Sequence, residues 1–484
     1  MTSDRAFFGH PAGLGLLFAV EMWERFSYYG MRAILVLFLI NGLGWNDASA
    51  YQLYGTYTGL VYLTPLIGGW LADNFLGTRK ALVYGGLIIA GGHLALAIEG
   101  MTWFYVGLGL VILGTGFFKS NVSTMVGQLY PDGDPRRDAG FTLFYMGINL
   151  GGFLGPLVCG YLAASPRFGW HYGFGAAGIG MIAGLIAYQV LKDKYLPGIG
   201  LAPTREQLAA RRAAALSSGS GEMAWWHGPA GALVGFTVLM LTAGWSLMGV
   251  AFALIIGGSF GIALLGSRGD DLKRVIALII VVFFVVFFWM AFEQAGSSMN
   301  VFADRHTDRM IGNFEIPTGW FQSVNSFFIL LFAPVFAGVW QALQKRGKEP
   351  STAMKMVLGL ALLGIGFVWL VFGGQGADNG VKVSAAFLVF AYLFHTWGEL
   401  CLSPVGLSYV TKVAPVRFAS LMMGAWFLAN AAANKLGGWL AAQTESITSL
   451  KTFFSIPMAT SLGAALVLLM LVPLLKRLTA SVKA

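Results

Sequence analysis

Charge is scarce in these 484 residues: Asp, Glu, Lys and Arg together make up 11%, where an ordinary soluble domain carries roughly 25%. That shortage excludes a soluble globule. Cysteine is nearly absent as well. Cys159 and Cys401, the two present, both lie inside apolar runs, so neither a disulfide framework nor a CxxC metal site is available. Histidine is limited to His10, His93, His171, His227, His306 and His395, no two of them four residues apart, and without HExxH there is no zinc-hydrolase pattern. No metal, cofactor or enzymatic activity is therefore expected. Short alternating segments of the β-barrel kind are missing too; the stretch from Val275 to Met290 is apolar without a break.

What is abundant is hydrophobic surface, 57% of the chain. At roughly 20 apolar residues per crossing, this predicts an all-α polytopic membrane protein. Apolar windows bounded by Gly, Pro and charge clusters place spans at 14–40, 50–72, 80–98, 103–128, 140–163 and 171–191. Two more follow at 228–244 and 247–266, then six at 274–301, 318–342, 353–373, 383–411, 417–441 and 452–475. The expected total is fourteen transmembrane helices: a six-helix half over 1–191, a linker with two additional helices over 192–272, and a second six-helix half over 273–484. In the linker, Thr204-Arg205-Glu206-Gln207 reads as a capping box opening a short helix, and Ser217 to Gly221 as a flexible joint.

The net charge of +9 marks cytoplasmic loops in such a protein rather than a nucleic-acid partner. Arg5, Arg79, Lys80, Arg136, Arg137, Lys192, Lys194, Arg205, Arg211 and Arg212 share the N-terminal side with the clusters around Lys273, Lys345, Lys412 and Lys476. The other side holds only Arg167, Arg305, Arg309, Lys382 and Lys451. Both termini are thus expected in the cytoplasm. The N-terminal stretch shows no small-residue cleavage site, so the first span is expected to be retained. The two halves also echo each other: Asn149-Leu-Gly-Gly in span five reappears as Asn434-Lys-Leu-Gly-Gly in span eleven, and Gly69 before Arg79-Lys80 as Gly338 before Lys345-Arg346. Parallel halves of a transporter repeat in this way, although small-residue pairs also recur wherever apolar helices pack closely.

Removing the loop charges leaves Arg25, Arg32, Lys119 and Lys435 against Glu21, Glu24, Glu293 and Glu399 inside the spans. Each costs roughly 2.5 to 3.5 kcal/mol to insert, so such groups line cavities and pair. At 100° per residue, Glu21, Glu24, Arg25, Tyr28, Tyr29 and Arg32 fall within one face of about 140°. A ladder that merely helps the helix insert is the bland alternative, yet it would not need every member beside the midplane. Arg32 and Glu293 sit at matching depth, roughly 18 and 19 residues into spans one and seven, and Lys119 and Glu399 match at about 16 residues into spans four and ten. One opposite-charge pair towards each side is what two alternating gates require. Lys435 is open to snorkelling or to a coupling role, and His395 to a core position or one facing Glu399.

Glu21-Met-Trp-Glu24-Arg25-Phe-Ser-Tyr-Tyr29-Gly resembles the ExxER motif of the proton-coupled oligopeptide transporters, and Phe144-Tyr-Met-Gly-Ile-Asn149-Leu-Gly their FYxxINxG signature. Gly69 to Lys80 is similar to a loop motif of the wider major facilitator superfamily. The resemblance extends through Phe292-Glu-Gln294 and Glu399-Leu-Cys-Leu-Ser403-Pro404-Val-Gly. It implies the major facilitator fold and proton-driven import of di- and tripeptides by a functional monomer in the bacterial inner membrane. By matching positions it implies that Arg25, Arg32 and Lys119 hold the peptide carboxylate and that Glu399, Asn149 and Asn325 receive the amine. Tyr28, Tyr29, Tyr62, Trp289, Ser403, Trp426 and Asn430 would shape the remaining peptide site, while Glu21, Glu24 and Glu293, with Arg25, would couple protons. Where animal members carry a histidine in span two, Gly55 stands here, which removes that route for protons. The main rival is a transporter of another small substrate, such as nitrate, on the same scaffold; an anion without an amine would leave Glu399 superfluous.

The charge bias carries its own test. With Cys159 and Cys401 replaced, an impermeant thiol reagent applied from the periplasmic side should label a cysteine at Asn46 and miss one at Ser218. The reverse pattern would invert the topology.

Overall fold

In the computed structural model the described residues are 7–131, 133–204, 206–209, 226–242 and 247–481. Arg5, Arg205, Arg211, Arg212 and the Ser217 to Gly221 joint lie outside them. Each of the fourteen expected segments is helical. The first half comprises α1 (Ala12–Leu37), α2 (Asp47–Leu71), α3 (Thr78–Leu96), α4 (Met101–Gln128), α5 (Arg137–Ala164) and α6 (Trp170–Tyr195). The additional pair is α7 (His227–Thr242) and α8 (Leu247–Leu265), packed on each other. The second half begins with α9 (Gly269–Phe292), which continues through a 3-10 turn at Glu293–Gly296 into the short α10 (Ser298–Arg305). It ends with α11 (Phe321–Lys345), α12 (Thr352–Asp378), α13 (Ala386–Val413), α14 (Ala419–Ala442) and α15 (Leu450–Leu478).

Local sequence explains the boundaries. Gly100 and Gly169 adopt φ of 114° and 88° just before α4 and α6, a conformation that a residue with a Cβ enters only under strain. The side chains of Asn46, Ser351 and Ser449 cap α2, α12 and α15 by accepting from Ser49, Met354 and Thr452 N–H groups. The expected box in the linker forms: Gln207 N donates to Thr204 Oγ1 at 3.2 Å and Thr204 N to Gln207 Oε1 at 3.0 Å. Among the described residues, eight helical segments are long and apolar enough to cross a bilayer by composition alone. α1 is as long but carries Glu21, Glu24, Arg25 and Arg32. Two features depart from the expected spans. Val383–Ser384 pairs as a short parallel strand with Thr307–Asp308 instead of opening a helix, and the helix expected over 274–301 breaks at Glu293.

The echo between the halves is structural. Packing of α1 on α5 and α6, α3 on α4 and α6, and α2 on α4 recurs as α9 on α14 and α15, α12 on α13 and α15, and α11 on α13. The halves meet through α2 against α14 and α5 against α11, which the same correspondence exchanges. The repeated Gly-Gly pairs sit at these meetings. A Cβ on Gly438 would lie 2.8 Å from Gly55 Cα on α2, and one on Gly152 would lie 2.5 Å from Ser326 Oγ on α11. Gly55 is thus pressed against backbone, and no side chain, histidine included, fits there unless α2 and α14 separate.

α1 starts beside the end of α6, where a Cβ on Gly13 would lie 2.7 Å from Tyr195 O; this is the near end of the bundle. Asp47 and Arg305 mark the far end. Gly151 brings α5 against the charged face of α1, since a Cβ there would lie 2.1 Å from Met22 O and 2.9 Å from Arg25 Cβ. Gly151→Ala should therefore force these helices apart, at a cost of about 1 to 3 kcal/mol, read as a lower unfolding midpoint of the purified protein. Gly109→Ala, where nothing lies within 4 Å, should leave the midpoint unchanged. Equal midpoints for both variants would contradict this packing.

Candidate functional site

The six residues expected on one face of α1 do face one way, and they partner each other and the second half. Arg25 Nε lies 3.1 Å from Glu21 Oε1, and its Nη2 donates to Glu24 Oε1 at 2.7 Å. The Arg25 guanidinium also lies 5.2 Å from the Tyr28 ring centroid. All of these groups are buried. One turn further along, Arg32 Nε donates to Tyr54 Oη at 2.5 Å and Nη2 pairs with Glu293 across the interface between halves. The helix changes to a 3-10 turn at Glu293, whose carboxylate meets Arg32 of α1.

Glu399 on α13 is held differently. Oε2 accepts from Asn325 Nδ2 at 3.1 Å, and Oε1 accepts from Tyr145 Oη at 3.4 Å. Asn325 Nδ2 also donates to Thr396 Oγ1 at 3.0 Å. Lys119, expected opposite Glu399, instead lies 3.9 Å from the Tyr62 ring centroid, and the two are not paired in this structure. Asn149 donates back to Tyr145 O at 2.9 Å, and Asn430 to Trp426 O at 2.9 Å, each within its own helix. Such bonds leave the side-chain carbonyl of each as an open acceptor.

A central cavity of about 90 Å³ collects Tyr29, Arg32, Tyr62, Asn149, Trp289, Glu293, Asn325 and Glu399. Glu21, Glu24, Arg25, Tyr28, Lys119, Ser403, Trp426 and Asn430 are not in its lining. That volume is well below the roughly 300 Å³ at which small-molecule pockets begin, so a peptide enters only as the halves part. Tyr145, Ile148, Phe292, Ala295, Gln322, Ser326, Ile329 and Tyr392 complete the lining. Sequence reasoning missed the roles of Tyr145 and Gln322. Tyr145 stands inside the quoted signature and Gln322 one helical turn before Asn325, but neither is charged, so neither stood out.

Position resolves the alternatives for His395, while Lys435 finds a partner that decides neither snorkelling nor coupling. His395 packs on Phe367, ring centroids 4.6 Å apart, as a core histidine rather than a partner of Glu399. Lys435 donates to Thr56 Oγ1 at 2.7 Å across the α2–α14 contact.

The far end is sealed across the halves. Arg305 makes a bidentate pair with Asp47 at 2.7 and 2.9 Å, Asn41 donates to Asp304 at 2.9 Å, and Asn300 Nδ2 donates to Ala33 O at 2.9 Å. Val301 of α10 is buried in the first half's core beside Phe38 and Tyr51. The Arg305 and Asp47 side chains are 41% and 22% exposed, against 6% and 4% for Arg32 and Glu293. Exposed pairs contribute little, whereas removing one member of a buried pair strands the other. In a background lacking Cys159 and Cys401, Glu293→Gln should therefore raise far-side labelling of a cysteine at Val301 several-fold, and Asp47→Ala should barely change it. Equal effects would contradict this ranking.

The model of the POT family matches residues 79–196 and 248–457. An uncharacterized transporter of Bacillus subtilis is 39% identical over 98% of this chain and 96% of its own length. A peptide transporter of Yersinia enterocolitica subsp. palearctica is also 39% identical, over 97% and 96%. The crystal structure of a peptide transporter POT in complex with sulfate superposes with a TM-score of 0.83 at 37% identity, covering 98% of this chain and 97% of that one. These matches show that the chain belongs to the POT family, the proton-dependent oligopeptide transporters.

Proposed function

We propose that this multi-pass membrane protein is a proton-driven symporter that imports di- and tripeptides by alternating access. The observation that carries this reading is that Glu399, bonded among the described residues only by the neutral donors Asn325 and Tyr145, shares one central cavity with Arg32. A dipeptide spans at most about 7 Å, and its termini need an anion and a cation on opposite walls of one site. Glu399 with Asn325 and Asn149 takes the amine; Arg25, Arg32 and Lys119 take the carboxylate. Tyr28, Tyr29, Tyr62, Trp289, Ser403, Trp426 and Asn430 bound the space between and around them as the halves move. The rings tolerate variable side chains because every face is apolar and polarizable.

Coupling follows from shared partners. Arg25 pairs with Glu21 and Glu24, and a carboxylate in a dry site stays ionised while an arginine is beside it. When a peptide carboxylate draws Arg25 away, a proton replaces the lost positive charge. Protonation of Glu293 likewise frees Arg32 and releases the far-end seal. Closure then moves to the near end, where Lys119 and Glu399 come together. The bias of the basic loops supports a near end and both termini in the cytoplasm of a bacterial inner membrane, in a division with the first half at 1–191, the linker and extra pair at 192–272, and the second half at 273–484.

Proteoliposomes loaded at neutral pH and placed in acidic medium test this reading. Labelled dialanine should accumulate, and an excess of trialanine should block it while nitrate does not. Inhibition by nitrate alone would favour the anion-transport reading. Glu24→Gln should abolish gradient-driven accumulation while peptide-for-peptide exchange persists; accumulation undiminished would remove Glu24 from coupling. Glu399→Gln should weaken free dipeptides far more than N-acetylated ones, and equal losses would show that Glu399 does not read the amine.

A further inference from the structure

Two residues of the central cavity's lining carry a donor without a partner, and neither is assigned above to a peptide terminus. Gln322 Nε2 and Trp289 Nε1 are both buried, and no hydrogen bond reaches either among the described residues. The Gln322 amide oxygen accepts none there either. Two neighbouring groups of the same lining are occupied, Asn325 by Glu399 and Thr396 and Glu293 by Arg32. A buried amide left unpaired costs free energy that a correctly placed ligand group recovers.

We propose that Gln322 is a specificity-determining residue which, with the indole N–H of Trp289, favours peptides whose first residue carries a neutral hydrogen-bonding side chain, a carboxamide above all. This rests on the reading of Glu399 as the amine site. Gln322 precedes Asn325 by three residues on α11, so it lies about 4.5 Å along the axis on nearly the same face. Once the substrate amine is at Glu399, beside Asn325, the side chain on the adjoining α-carbon is the part of the peptide within reach of Gln322. The surrounding lining is Ile148, Phe292, Ala295 and Ile329, which excludes water and makes any unmet donor count. A carboxamide offers the acceptor that the two N–H groups lack and a donor for the free Gln322 oxygen. A leucine of the same size leaves all three unmet. An acidic side chain finds no unpaired cation in the lining, because Arg32 is engaged by Glu293.

The test is competition against labelled dialanine uptake in proteoliposomes by two near-isosteric pairs, Asn-Ala with Leu-Ala and Gln-Ala with Met-Ala. The native protein should prefer the carboxamide member of each pair by about threefold to tenfold. Gln322→Met should bring both ratios close to one, and Trp289→Phe, which keeps an aromatic ring but removes the donor together with the pyrrole ring, should lower them partway. If Gln322→Met does not transport, the same ratios are read from displacement of labelled dialanine bound to purified protein. No preference in the native protein, or a preference that survives Gln322→Met, overturns the proposal while dialanine uptake keeps the amine-site reading intact. Failure of dialanine uptake by the native protein overturns both.

Discussion

An ionised side chain inside a bilayer has to find an opposite charge or a strong hydrogen bond within the protein, and the arrangement of this molecule follows from that demand. Arg25 satisfies it locally, with Glu21 and Glu24 on its own helix. Arg32 satisfies it across the interface, with Glu293. The second solution ties a conformation to a pairing. In this structure the pair joins the two halves, and at the far end they are joined again by the buried Asn300–Ala33 bond and the more exposed Asp47–Arg305 pair.

The fold supplies two similar halves that meet along equivalent helices. The close backbone contact of Gly55 with Gly438, and the room Gly152 leaves for the Ser326 hydroxyl, let the halves approach closely. Such contacts can roll, whereas ion pairs switch between made and broken. The same glycines leave no room for a histidine at position 55 in this packing.

Much of this was legible in the sequence because the membrane makes charge conspicuous. Once loop residues are removed, Glu21, Glu24, Arg25, Arg32, Lys119, Glu293, Glu399 and Lys435 stand out against an apolar background. Helical periodicity then groups those of α1, and matching depth pairs Arg32 with Glu293. Neutral polar groups leave no such trace. Tyr145, which holds Glu399, and Thr56, which receives Lys435, are ordinary residues until the fold brings them together, and Asn325 is reached only through the family resemblance. Gln322 was illegible for the same reason. The break at Glu293 and the short strands at the far end depend on tertiary contacts that apolar windows do not register.

The central claim is that peptide and protons compete for one set of buried partners, so that peptide binding must itself take up protons. Calorimetric titration of the purified protein with dialanine at neutral pH, repeated in buffers of different ionisation enthalpy, measures that directly. The observed heat should vary with buffer with a slope corresponding to net proton uptake, and Glu24→Gln should reduce the slope. A heat independent of buffer, with dialanine still bound, would show that binding and protonation use separate groups and would contradict the account.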